Sequence, residues 1–209
     1  MATPAKEAIR LSSTAVFQRF SRVDSTWRKR APHLFRERER LVHAVHFQAS
    51  QFGSSDHAKF TVNLVVSSKP VYEAWCGCPF PANPATAMFP IQQRVGLLLK
   101  EKRDLWWDAT PSSDLDVLAS EVAEIVSTAA EGFFSRYFSL ESLLEELRLH
   151  DCLPGLTKHQ GPVVHGIVAS LLGSRDEAVV AFKKAIAGAP IEGFRSNVVR
   201  AASRVGVTV

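Results

Sequence analysis

The chain has 209 residues, 46% of them hydrophobic and 22% charged, enough to bury a core without staples. Three cysteines exclude a disulfide scaffold, and the ordinary apolar content excludes wholesale disorder. The formal charge of +4 points at first toward a polyanion, but residues 1–50 carry 10 basic and 4 acidic side chains while residues 111–150 carry 2 and 8, so attraction within the molecule is expected instead.

No apolar run reaches the ~18–20 residues of a membrane helix, so no membrane partner is expected. The first residues lack a hydrophobic core segment and carry Glu7, which does not read as a secretory signal. A reducing cytoplasm is the expected compartment.

Residues 4–22 predict an amphipathic helix, with Pro4 suited to its first turn. Residues 26–36 predict a weak strand or hairpin arm broken at Ala31-Pro32. Residues 40–52 predict a strand with Leu41, Val45 and Phe47 on one side and His46, Gln48 and Ser50 on the other. A turn is expected at Gly53-Ser54-Ser55-Asp56. The next strand, 58–67, alternates cleanly: Phe60, Val62, Leu64 and Val66 against Thr61, Asn63 and Ser67. Together these two strands predict an antiparallel hairpin.

Residues 69–90 read as an irregular surface loop, because four prolines crowd the stretch from Pro79 to Pro90. Further strands are expected at 91–99 and 104–108. Ser113 then reads as the cap of a helix with Asp114 and Asp116 in its first turn and a stop at Gly132. Ser139 reads as the cap of a helix over 140–149, ended by Pro154-Gly155. Three more helices are expected at about 159–172, 175–188 and 192–204.

The fold expectation is α+β: an antiparallel sheet of four or five strands with helices packed on one face, plus a C-terminal helical extension. Residues 1–150 would form the α+β domain and 151–209 the extension. Three segments carry a resemblance over roughly residues 5–150: Phe47-Gln48-x-Ser50, Phe60-Thr61-x-Asn63-Leu64, and Arg94-x-Gly96 followed by Trp106-Trp107. They resemble the bacterial family of domain of unknown function 4304. The resemblance implies a small α+β fold and a bacterial cytoplasmic setting, and no activity. The proline-rich insert at 76–90 departs from the family pattern. In the extension, Gly166, Ala178, Phe182, Ala185 and Pro190 resemble one tetratricopeptide repeat, with Ala169 where a bulky aromatic is expected. One repeat cannot bury its own faces, so a cap on the fold is expected before a peptide-binding surface.

The candidate site is the polar strand face. His46, Gln48 and Ser50 on one strand and Thr61 and Asn63 on its neighbour share one surface, which Arg94 can join. Amides, hydroxyls and a guanidinium suit an anionic or carbonyl ligand. Of Trp106 and Trp107, one ring is expected in the core and the other over the polar face, since adjacent strand residues point opposite ways. Cys76-Gly77-Cys78 with Cys152 does not make a zinc ligand set, so no metal and no cofactor are expected. His43 and His46 fall on opposite strand faces. The basic run from Arg28 to Arg40 could track phosphates, but Glu37 and Glu39 alternate with Arg36, Arg38 and Arg40, as in a strand edge that resists aggregation. Nucleophile-elbow, phosphate-loop, dinucleotide and zinc-protease motifs are absent. The leading expectation is a non-enzymatic binding or interaction domain whose partner is an unknown protein or small ligand. The alternatives are a small-ligand protein or enzyme using Gln48, Asn63 and Arg94, and a nucleic-acid binder through 28–40.

Overall fold

The computed structural model describes residues 4–52, 57–150 and 152–209, without the side chains of Pro4, Ala5 and Ala85. The turn expected at 53–56 lies outside the described residues.

Helix α1 spans Pro4–Val23, and six strands follow: β1 Arg28–Arg30, β2 His33–Arg38, β3 Leu41–Ala49, β4 Ala58–Ser68, β5 Ile91–Arg94 and β6 Trp107–Ala109. They form one open antiparallel sheet in the order β1-β2-β3-β4-β5, with β6 pairing β4 beyond that path. This is one strand more than the largest number expected. The 26–36 arm resolves into two strands paired Arg28 to Phe35 and Arg30 to His33. On β4, Phe60 stands opposite Trp107.

Helices α1 and α3 (Leu115–Arg136) converge through aromatic contacts: Phe20 of α1 on Trp27, and Trp27 on Phe134 of α3. Phe134 also stacks on His43 of β3 at 4.6 Å. Trp107 stacks on Phe60, and its indole N–H donates to Glu121 of α3. The face carrying Phe60, Val62 and Leu64 is therefore the helix-covered core, as the alternation requires, and all three are fully buried.

The remaining helices are α2 Lys69–Cys76, α4 Leu140–Leu149, α5 Gln160–Leu171, α6 Arg175–Ala187 and α7 Glu192–Arg204. The last four match expectation. Ser139 caps α4 in a reciprocal box with Ser142. Gly166 of α5 faces the ring of Phe182 on α6, where an added Cβ would lie 2.9 Å from the ring.

Five expectations need correction. Residues 69–76 are helical, not loop: the Ser68 hydroxyl accepts from the Val71 N–H, a proline sits in the first turn, and Gly77 ends the helix in the left-handed region at φ 70°. The strand at 91–99 stops at Arg94 and becomes a 3-10 turn over Val95–Leu98. The strand expected at 104–108 lies instead at Trp107–Ala109. Asp114, not Ser113, caps α3, accepting from the N–H groups of Asp116 and Val117, and the helix passes through exposed Gly132 to Arg136, which keeps Phe133 and Phe134 buried.

The chain divides into two compact units: residues 1–37, 43–65 and 93–135, and residues 38–42, 66–92 and 136–209. The division does not follow a single cut at residue 150. It groups α2 and α4 with the C-terminal helices. No helix among the described residues is long and apolar enough to cross a membrane.

Candidate functional site

The three motif segments are interlocked by their own polar side chains on the sheet face opposite Phe60 and Val62. The Asn63 amide donates to Gln48 Oε1 at 3.1 Å, joining β4 to β3. The Thr61 hydroxyl donates to the Leu105 carbonyl at 2.8 Å, joining β4 to the segment before β6. Arg94 Nη1 donates to Asp104 Oδ2 at 2.5 Å, and the Trp106 indole N–H donates to the same oxygen at 3.0 Å. The Arg94 guanidinium lies 5.1 Å from the centre of the Trp106 ring. Gly96 makes the last contact possible, since a Cβ there would lie 2.3 Å from the Arg103 carbonyl. The Arg-x-Gly…Trp-Trp pattern is thus a clasp: glycine admits the returning backbone, and arginine grips it.

Burial sorts the predicted residues. Thr61 and Asn63 are 1% and 3% exposed, so they support the surface from beneath. Gln48 is exposed, while His46, Ser50, Arg94 and Trp106 are half-buried. Trp107 belongs to the core, and of the two indoles only Trp106 is left for the polar side. The Ser50 hydroxyl accepts from the Phe52 N–H, and the Ser50 N–H donates to the Lys59 carbonyl, so this serine shapes the end of the hairpin. His46 meets His33 of β2 edge-on at 4.7 Å. Burial, with the neighbouring His33, pushes the His46 pKa down to about 4. The Arg94 hydrogen bond, joined by that of Trp106, holds the Asp104 carboxyl below its ordinary range.

A model of the family described as "Domain of unknown function (DUF4304)" matches residues 27–136. The chain belongs to this family. The matched stretch runs from β1 to the end of α3, so the DUF4304 region contains the whole interlock. The tetratricopeptide resemblance lies outside it. No curated protein matches the chain, and no solved structure does.

Sequence reasoning missed a second arrangement. Helices α4, α5 and α6 border a cavity of about 260 Å³ lined by Leu147, Gly161, Pro162, Val180 and Ala181. Its polar wall is Glu177, which accepts Arg148 Nε at 2.8 Å and Nη2 at 2.6 Å and lies 2.8 Å from His165 Nε2. The two Arg148 hydrogen bonds, with His165 adding to them, hold the Glu177 carboxyl down to about 2. Each residue sits on a different helix, and no local spacing signals the trio.

The basic run is drawn into local contacts. Arg28 donates to the carbonyls of Ser25 and Trp27, and Lys29 donates to Thr14. Arg36 pairs with Asp24 at 2.8 Å and stands 4.9 Å from the Trp27 ring.

Proposed function

We propose that this DUF4304 protein is a non-enzymatic binding module of the bacterial cytoplasm whose contact surface is the polar sheet face. The carrying observation is the interlock from Gln48 through Asn63 and Thr61 to Trp106 and Arg94. With its carbonyl oxygen engaged by Asn63, the exposed Gln48 keeps an amide nitrogen with which to donate to a partner. Trp106 and Arg94 supply the rigid aromatic and guanidinium groups that anchor protein interfaces. Side chains already held in place lose little freedom when a partner arrives. A protein partner suits this surface better than nucleic acid, because Lys29 and Arg36 of the basic run are half-buried and paired with Thr14 and Asp24, and Arg28 is held by local carbonyls.

A photo-crosslinking amino acid placed at Lys59, exposed on the same strand face as Thr61 and Asn63, and separately at exposed Glu124 on α3, tests the reading in cells of the source organism. A discrete adduct from position 59 alone is expected, lost on Arg94→Ala in a variant that thermal melts show still folded at the assay temperature. Identical adducts from both positions, or none from position 59, would sink the proposal.

A further inference from the structure

The proline-rich segment after α2 brings the Met88 sulfur back to Cys76, whose thiol is also in contact with that of Cys78. Cys76 closes α2, Gly77 reverses the chain in the left-handed region, and Cys78 follows at once. Ten residues further on, Met88 returns to the same spot, its sulfur 4.0 Å from Cys76 Sγ. Cys78 Sγ lies 3.9 Å from the Tyr72 hydroxyl. Two aromatic contacts hold the arms of this excursion: Phe80 edge-on to Tyr72 at 5.5 Å, and Phe89 edge-on to Trp75 at 4.9 Å. Tyr72 and Trp75 both belong to α2, so the helix that ends in Cys76 also anchors the loop that delivers Met88.

Arg204 completes the surroundings. Its Nη1 donates to the carbonyls of Ala74 and Trp75. Its guanidinium occupies the space beside Gly77, with Nη2 only 2.5 Å from where a Cβ would stand. A glycine suits the position between the cysteines because of its φ of 70°, and a side chain there would also displace the Arg204 guanidinium. The guanidinium places a fixed positive charge next to two thiols that become anionic on metal binding.

The one sulfur–sulfur separation that matters first, Cys76 to Met88, fits joint coordination of a metal ion. A metal–sulfur bond of about 2.3 Å sets neighbouring sulfurs about 4.0 Å apart in a three-coordinate site, the separation of Cys76 from Met88. Two thiolates and a thioether are soft donors, which select monovalent copper. Zinc takes four ligands from cysteine, histidine and carboxylate, and no group of three or more such residues stands together among the described residues.

We propose that Cys76, Cys78 and Met88 form a three-coordinate binding site for monovalent copper. Binding forms two copper–thiolate bonds and one copper–thioether bond, and the two thiol protons pass to solvent. The resulting unit carries one net negative charge, which Arg204 offsets. Copper stays monovalent, so no electron is exchanged.

Anaerobic titration of the full chain against Cu(I) held by bicinchoninate tests this directly, with the loss of the coloured chelate as readout. One copper per chain is expected to transfer, with a new thiolate-to-copper absorption in the ultraviolet. Cys76→Ser and Cys78→Ser should each weaken binding by about 100-fold, and Met88→Leu by about 10-fold. Cys152→Ser should change nothing. Thermal melts check folding, and Cys78 and Met88 are exposed, so their variants leave the core intact. The site is refuted if the chelate keeps its copper, if Met88→Leu binds as tightly as the parent, or if equimolar Zn(II) displaces the copper.

Discussion

His33 and His46 meet across two adjacent strands in a setting that favours neutral rings. Burial lowers both pKa values, that of His46 to about 4, and His33 Nδ1 is buried without a hydrogen-bond partner. An unfolded histidine titrates near 6.5, so below that pH the unfolded chain binds a proton that the folded chain refuses. Stability is full above about pH 6.5 and falls toward pH 4 by about 1.4 kcal/mol per unit from His46, some 3 kcal/mol in all, then levels off. Urea melts between pH 7 and 4 should show that slope, reduced in His46→Gln; an unchanged slope would place the acid sensitivity elsewhere. The strand alternation that put His46 beside Gln48 was legible in sequence. Its neighbour His33 was not, because that contact depends on how β2 registers against β3.

At the scale of elements, two glycines in helices behave oppositely. Gly132 in α3 is exposed and meets nothing, whereas Gly166 in α5 lies under the buried ring of Phe182. Gly132→Ala removes only the backbone penalty and should stabilise by about 0.5–1 kcal/mol. In Gly166→Ala the new methyl would sit 2.9 Å from a ring with no room to move. The overpacking cost of about 1–3 kcal/mol should exceed the propensity gain. Paired thermal melts decide it, and stabilisation by both would show that α5 and α6 can separate freely. The helix pair was readable from small and large residues at fixed spacing. Helix α2 was also readable in principle: Ser68, Pro70 and Gly77 are its start and stop signals. The cluster of prolines beginning at Pro79 obscured it, although proline breaks only the residues around it.

For the whole molecule, the compact units cut across the expected boundary at residue 150. In the unit holding the C-terminal helices, α4 packs on α5, and α2 packs on α5 and α7. Leu143 and Leu147 of α4 are 1% and 5% exposed. A 1–150 fragment lacks α5 to α7 and should expose these side chains, bind a hydrophobic dye and lose a sharp thermal transition. A fragment that melts cooperatively at the parent temperature would establish 1–150 as self-sufficient. The charge asymmetry shows the same limit at this scale. The basic front was expected to meet the acidic middle: Arg40 does act on the Glu141 carboxylate, while Arg10 pairs with Glu7 and Arg36 with Asp24 inside the front itself.

What sequence alone determined was local: α1, the two-faced hairpin of β3 and β4, the Ser139 cap, the three last helices and the residues that share the polar face. These follow from periodicity and capping, which act over a few residues. Only the tertiary structure decided that Asn63 would be buried beneath Gln48, that Glu177 would join Arg148 to His165, and that Met88 would return to Cys76. Such pairings depend on which elements become neighbours, and that is set by burial of apolar surface over the whole chain rather than by the spacing of residues along it.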